Sequence, residues 1–173
     1  MENSSTTQVA PYSAIQIANE FIARGVEDGI KDMTNMKIQK LVYFAHGYFL
    51  AIYDRPLIRE EFEVWKHGPV VRQLYEKCKE VIVQEGWKRD HSFNKPLEIQ
   101  DDHIVRVREN DTDAICVVNS VWRSCKEYRA SYLRRLTHFL DSPWTITLDR
   151  KGPYAIILNS DITDYFKNLM SAQ

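Results

Sequence analysis

Met36-Lys37-Ile38-Gln39-Lys40-Leu41-Val42-Tyr43-Phe44-Ala45-His46-Gly47-Tyr48-Phe49-Leu50-Ala51-Ile52 decides the fold. Ile38, Leu41, Val42, Ala45, Phe49 and Ile52 recur at steps of three and four, which is helical spacing. Tyr43, Phe44 and Tyr48 add aromatic surface on other faces. A helix apolar on more than one side is covered on more than one side. The stretch therefore predicts a central helix, capped by Thr34 or Asn35, with the domain built around it.

Working toward the N-terminus, Ser13 and Gln16 have capping-box spacing, and Tyr12 and Ile17 stand where a hydrophobic staple lies. Ala14, Ile17, Ala18 and Phe21 continue with helical period, so a helix is expected from Ser13 to Arg24, ended by Gly25. The Ser/Thr-rich start reads as a flexible polar arm over 1–12, ahead of one domain over 13–173.

Toward the C-terminus, Arg55-Pro56-Leu57 breaks the central helix and Phe62 and Val64 suggest a short strand. Gly68-Pro69 reads as a helix start, since proline needs no donor at a first helical position, with Val70, Val71, Leu74, Tyr75, Cys78 and Val81 following and Gly86 closing. Lys95 to Val107 alternates around Asp101-Asp102 and predicts a small β-hairpin. Asp111 or Thr112 caps a helix with Ile115, Val118, Val121, Trp122 and Cys125. Ser131 caps another, with Leu133, Leu136 and Leu140 inward and Ser142-Pro143 as its stop. Gly152-Pro153 turns, Ile156 to Leu158 is extended, and Ser160 starts a last helix with Ile162, Tyr165, Phe166 and Leu169. The expected class is mainly α with a small β element (α+β), a compact helical domain around a central helix.

Composition narrows the function. With 173 residues, 44% hydrophobic, 27% charged and a formal net charge of -1, the chain reads as an ordinary globular domain with no global field for nucleic acid. Three cysteines without a C-x-x-C pair, no secretory leader pattern and no apolar run of membrane-spanning length point to the cytoplasm and away from membranes.

Chemical motifs are sparse. The five histidines, His46, His67, His91, His103 and His138, show no zinc spacing, so no metal is expected. No glycine-rich phosphate loop, nucleophile elbow or cofactor motif is present. Cys116 and Cys125 fall in an apolar helical pattern and read as inert packing residues. Lys37, Lys40, Arg123, Arg129, Arg134 and Arg135 read as a solvated helix face rather than a nucleic-acid grip. Two segments stand out. Val64-Trp65-Lys66-His67-Gly68-Pro69-Val70 sets a large aromatic, a cation and an imidazole before the expected helix start, whose free N–H groups would suit an acidic partner side chain. Leu136-Thr137-His138 with Ser142-Pro143-Trp144 pairs a polar helix end with a second tryptophan. Each also has a plain reading, Trp65 as core, and Thr137 and His138 as partners for helix-end carbonyls.

Taken together these motifs resemble the Panacea domain family, also described as SocA-like antitoxins or phage-associated GepA-like proteins. Met36 to Gly47 resembles its K-L-Q-K-L-L-Y-[YF]-A-x-G motif through Lys37, Gln39, Lys40, Tyr43 and Gly47. Arg55-Pro56-Leu57 resembles its R-P-L-F turn, with Ile58 in place of Phe. Trp65, Gly68, Pro69 and Leu74-Tyr75 resemble A-W-x-x-G-P-V-x-x-x-L-Y, and Thr137-His138 with Pro143-Trp144 resembles L-T-H…P-W. The resemblance implies a non-enzymatic antitoxin that neutralises a cognate toxin protein by direct binding. Its alternative is an adaptor that delivers the toxin to a cytoplasmic protease. Trp65, His67, Tyr75, His138 and Trp144 are the expected toxin contacts. An enzyme pairing His138 with a carboxylate, and a nucleic-acid-binding regulator, are the rivals from other classes.

Overall fold

The computed structural model describes residues 10–172. Helix α1 spans Ala14–Glu27 and opens on the expected capping box: the Gln16 N–H donates to Ser13 Oγ at 3.2 Å and the Ser13 N–H to Gln16 Oε1 at 2.9 Å. It runs past Arg24, because Gly25 stays helical and the closing bond is Asp28 N–H to the Arg24 carbonyl. The proposed arm over 1–12 lies mostly outside the described residues; at its end Tyr12 is buried, bridges Ile58 and donates from its hydroxyl to Asp111 Oδ2 at 2.6 Å.

Helix α2, Asn35–Tyr53, is capped by Thr34 and is the expected spine. It packs against α1, α3 (Arg72–Gln84), α4 (Thr112–Cys125), α5 (Ala130–Leu136) and α7 (Asn159–Ser171). Nearly its whole length is buried, although Ile52 at its end is exposed. Gly47 marks the tightest crossing. A β-carbon there would fall 2.3 Å from the Phe166 ring, so only glycine lets α7 approach this closely. Phe166 meets Tyr43, Phe44 and Tyr48 edge-on, with centroids 4.9–6.3 Å apart.

The small β element lies beside this bundle. Strands β1 (Phe62–Trp65), β2 (Gly68–Val70) and β5 (Ile156–Ile157) form an antiparallel sheet in the order β2-β1-β5. Here the structure corrects the reading of Gly68-Pro69: it begins the return strand of a hairpin, Val64 opposite Pro69, and the helix starts at Arg72. Proline fits both places for the same reason, a missing N–H, and β2 is an edge strand. Consequently the helix end expected directly after His67 lies further along the chain, at Arg72. The Val71 N–H at the start of α3 is taken by Gln39 Oε1 at 3.0 Å, and Gln39 Nε2 returns to the Val71 carbonyl at 3.2 Å.

The second hairpin is as expected: β3 (Ile99–Gln100) and β4 (His103–Ile104) are joined by Asp101 and Asp102, both at positive φ (47° and 62°). Asn19 and Glu20 of α1 hold its legs. Asn19 Nδ2 donates to the Val105 and Glu98 carbonyls, and Glu20 receives Arg24, Arg106 and the Val107 N–H. Burial pushes the Glu20 carboxyl up, but these cations outweigh it and hold the group below its ordinary range.

Further departures lie in the C-terminal half. Arg129, not Ser131, precedes α5, and Ser142-Pro143 starts a helix rather than stopping one. Ser142 Oγ caps α6, Pro143–Lys151, accepting the Thr145 N–H, with Pro143 at its first position. The chain between α5 and α6 is thus a bend, and Leu140 on it is 90% exposed instead of inward. Leu158 rather than Ser160 precedes α7. All three cysteines are free, but Cys116 is exposed, not packed.

His46 gives the fold a pH dependence. It is fully buried, accepts the Ile58 N–H at Nδ1 (3.3 Å) and so donates from Nε2 to Asn159 Oδ1 (2.9 Å). Both nitrogens are satisfied only in the neutral ring; burial lowers its pKa to about 4, the Asn159 bond offsetting part of the shift. Above the unfolded value of about 6.5 both states are neutral and nothing is lost. As pH falls from there to about 4 only the unfolded chain gains the proton, so about 3 kcal/mol of stability should disappear. Urea unfolding across that range checks this; His46→Gln should flatten this contribution, and an equally steep wild-type and variant would contradict it.

Candidate functional site

The motif residues of the central helix are mostly scaffold, and two of them, Gln39 and Lys40, hold the β1–β2 hairpin and the start of α3. Two that looked like a solvated basic face, Lys37 and Lys40, are buried. Lys37 Nζ ties Asp32 (2.6 Å) to the Lys126 carbonyl (2.7 Å), joining the start of α2 to the end of α4. Tyr43 is core, and Pro56 is half-buried after α2. Gly68 has φ +106°, and a β-carbon there would meet Thr137 Oγ1 at 2.7 Å and Lys40 Cε at 2.9 Å. Thr137 Oγ1 donates to the Arg134 carbonyl at 2.7 Å, as the plain helix-end reading had it. The hairpin is therefore clamped between α2, the end of α5 and the start of α6.

Lys40 is held unusually. Its ammonium is wholly buried and donates to the Pro69 carbonyl at 2.9 Å, its one hydrogen bond among the described residues. Burial first, and the Arg134 charge second, pull its pKa down to about 7. Folding thus opposes the charge on this amine below about pH 10.5, a penalty that is complete near pH 7, on the order of 4–5 kcal/mol. Lys40→Met removes that penalty but orphans the Pro69 carbonyl, which costs about 1–3 kcal/mol. The variant should be about 2 kcal/mol more stable at pH 7, the gain fading as pH rises toward 10.5. Denaturant melts at the two pH values check it; a destabilised variant at pH 7 would contradict it.

On the outer side of the sheet the clamped hairpin presents aromatic residues. The Trp65 ring, half-buried, lies 4.9 Å from Tyr75 of α3 and 5.9 Å from Tyr154, with the Arg72 guanidinium over it at 5.3 Å. Trp65 Nε1 and Arg72 both bind Glu63, which burial pushes up and these donors hold below the ordinary carboxylate range. Ile156, opposite Glu63, is 41% exposed and Tyr154 63% exposed. Tyr154 was missed by the sequence reading. It reaches the face because β1 takes the Gly152-Pro153 turn alongside it, Tyr154 N–H donating to the Val64 carbonyl at 2.7 Å.

The remaining expected contacts sit around this face. His67 is exposed at the hairpin tip. Trp144 is buried behind it, donating from Nε1 to the Trp65 carbonyl at 3.0 Å, and its ring lies 3.9 Å from that of His138. Trp65 and Tyr75 are thus brought into direct contact, and His138 and Trp144 brace them from within. His138 Nδ1 is 2.7 Å from the Arg134 carbonyl, and no carboxylate pairs with it among the described residues. The pairing that the enzyme reading needed is therefore not found there. Among those residues no group of three or more His, Cys, Asp or Glu is placed to hold a metal, and no helix is long and apolar enough to cross a membrane.

Comparison with known proteins adds two findings. The family described as "Antitoxin SocA-like, Panacea domain" matches residues 38–145, from the central helix through the start of α6. Antitoxin SocA of Caulobacter vibrioides (strain NA1000 / CB15N) is 30% identical over 125 residues, 69% of this chain and 62% of that relative. The chain therefore spans less than two thirds of the relative's length. No solved structure matches.

Proposed function

Because the chain belongs to the SocA-like Panacea antitoxin family, we propose that it silences a cognate toxin protein by binding it directly through the face built on β1. The observation that carries this reading is the Trp65–Tyr75–Tyr154 group with Arg72 across it. Trp, Tyr and Arg dominate the energetics of protein interfaces, because they bury large areas at small entropic cost and keep a polar handle. Here they stand where the β1–β2 hairpin meets α3 and the turn before β5, a junction tied down by hydrogen bonds from Gln39 to Val71, Lys40 to Pro69 and Trp144 to Trp65. A pre-ordered face binds more tightly than one that must be ordered on contact.

Co-expression with the protein of the adjacent reading frame tests the reading. That protein should be lethal alone and harmless with the wild-type chain, and the two should co-purify. The adaptor alternative adds delivery to a protease. Removing residues 1–9 should then leave toxin binding intact while toxin turnover stops; unchanged turnover removes the arm from any such role.

A further inference from the structure

The two edges of the three-stranded sheet differ. The Val64 N–H donates to the Ala155 carbonyl at 2.9 Å and the Val64 carbonyl accepts the Tyr154 N–H at 2.7 Å, so the polar groups of Val64 face β5 and not β2. Opposed residues in an antiparallel ladder alternate between bonded and non-bonded pairs. Val64–Pro69 is therefore a non-bonded pair, and the polar groups of Pro69, and of Val71 two residues on, point away from β1. Pro69 has no N–H, and its carbonyl accepts Lys40 Nζ. Gln39 takes both the N–H and the carbonyl of Val71. The β2 edge is thus closed at both outward-facing positions.

The β5 edge is open. Phe62–Ile157 is the next bonded pair along the ladder from Val64, which leaves Glu63–Ile156 non-bonded and turns the Ile156 N–H and carbonyl away from β1. The Leu158 N–H, two residues on, points the same way. Among the described residues none of these three groups has a hydrogen-bond partner. Ile156 and Leu158 are 41% and 46% exposed, with Ile157 buried between them. Natural proteins blunt a bare edge with charges or proline, and the run Tyr154-Ala155-Ile156-Ile157-Leu158-Asn159 contains neither. The open stretch has defined ends. Tyr154 and Ala155 together oppose Val64 in a bulge, with Tyr154 at φ 64°, and α7 begins at Asn159.

We propose that β5 receives an extended apolar segment of the protein partner as a fourth strand, while the rest of that partner covers Trp65. The proposal rests on the protein-binding reading above and deepens it. Hydrogen bonds to Ile156 and Leu158 hold the backbone of the segment. A β-branched or aromatic side chain of the segment stands beside Ile156, which shares the outer face of the sheet with Glu63 and Trp65. Three residues of edge span roughly 10 Å and cannot alone supply the roughly 800 Å² that each side of a stable interface buries. The occupant therefore also covers a neighbouring surface. The aromatic face is continuous with this edge, since Tyr154 in the bulge packs on Trp65 and Ile156 lies opposite Glu63. A folded partner that binds that face, and not a loose peptide, is the occupant this arrangement fits.

Proline substitutions remove the outward N–H groups and spare the bonds between β1 and β5. Leu158 already has φ -70° and ψ 140°, which proline adopts, and its carbonyl still accepts the Ile162 N–H after the change. Leu158→Pro and Ile156→Pro are compared with Leu158→Ala and Ile156→Ala, which lose the same side chains but keep the N–H groups. Binding of each full chain to the purified protein of the adjacent reading frame is measured by calorimetry beside a thermal melt, and sedimentation of the free chain reports its oligomeric state. Each proline variant should bind at least about tenfold more weakly than its alanine counterpart. The Ile156 and Leu158 amides should exchange quickly with deuterium in the free chain and slowly in the complex. If Ile156→Pro fails to fold, Leu158→Pro decides alone. Proline and alanine variants that bind alike, or amides that stay unprotected in the complex, overturn the proposal. So does a wild-type dimer that the proline variants dissociate, which gives the edge to a second copy. Tight wild-type binding untouched by the prolines removes the fourth strand alone, whereas a wild-type chain that does not bind the neighbour removes the antitoxin reading and the strand with it.

Discussion

Phe166→Ala is expected to cost about 3–5 kcal/mol, a large share of the roughly 5–15 kcal/mol that holds a domain folded. The ring is fully buried where α7 crosses α2 and touches Tyr43, Phe44, Tyr48 and Tyr165, so its loss strips several edge-on aromatic contacts and opens a cavity at the spine. The reciprocal change, Gly47→Ala, pushes a methyl group into the same ring and should cost about 1–3 kcal/mol by overpacking. The two positions should couple. In the Phe166→Leu background, where the ring is gone, Gly47→Ala should cost measurably less than in the wild type. Guanidinium unfolding of the four proteins gives the cycle; strictly additive costs would show that the helices do not meet as described.

Trp65→Ala should act on binding rather than on folding. The side chain is half-buried and its burial comes mostly from Tyr75, Tyr154 and Arg72, so its removal should lower stability by only about 1–2 kcal/mol. The backbone carbonyl that receives Trp144 is untouched by the substitution. Toxin affinity, in contrast, should fall by about thirtyfold or more, the loss of about 2 kcal/mol typical of a central interface tryptophan. Calorimetric titration beside a thermal melt of the same sample separates the two effects. A folded variant that binds as tightly as the wild type would remove Trp65 from the interface.

The parts of this architecture that could be read from the sequence are those in which one period holds over a long stretch. The central helix was legible because Ile38, Leu41, Val42, Ala45 and Phe49 share a face and aromatics fill the others. The α1 capping box and the β3–β4 hairpin were legible for a similar reason, local chemistry with one solution. Proline was the failure. Pro69 and Pro143 both lack a donor and hold the same φ, so an edge strand, a helix start and a helix stop look alike until neighbouring strands are known. At the candidate site, Trp65 and Tyr75 were named in advance and do touch, because their spacing places both at the hairpin–α3 junction. Tyr154 was not, since only tertiary pairing with β1 brings it there. Lys40 was misjudged because a lysine in an amphipathic pattern looks solvated, whereas here the hairpin closes over it.

The stability of Lys40→Met and the affinity of Trp65→Ala bear on one idea, that a rigid hairpin is held against the spine to present an aromatic surface to another protein. The most direct test is the dissociation constant between the purified wild-type chain and the toxin from the adjacent reading frame, measured alongside folded Trp65→Ala and Tyr154→Ala. Tight wild-type binding, weakened in both variants in step with lost protection of growth, is the expected result. Wild-type binding and protection that survive both substitutions unchanged would contradict the assignment of this face.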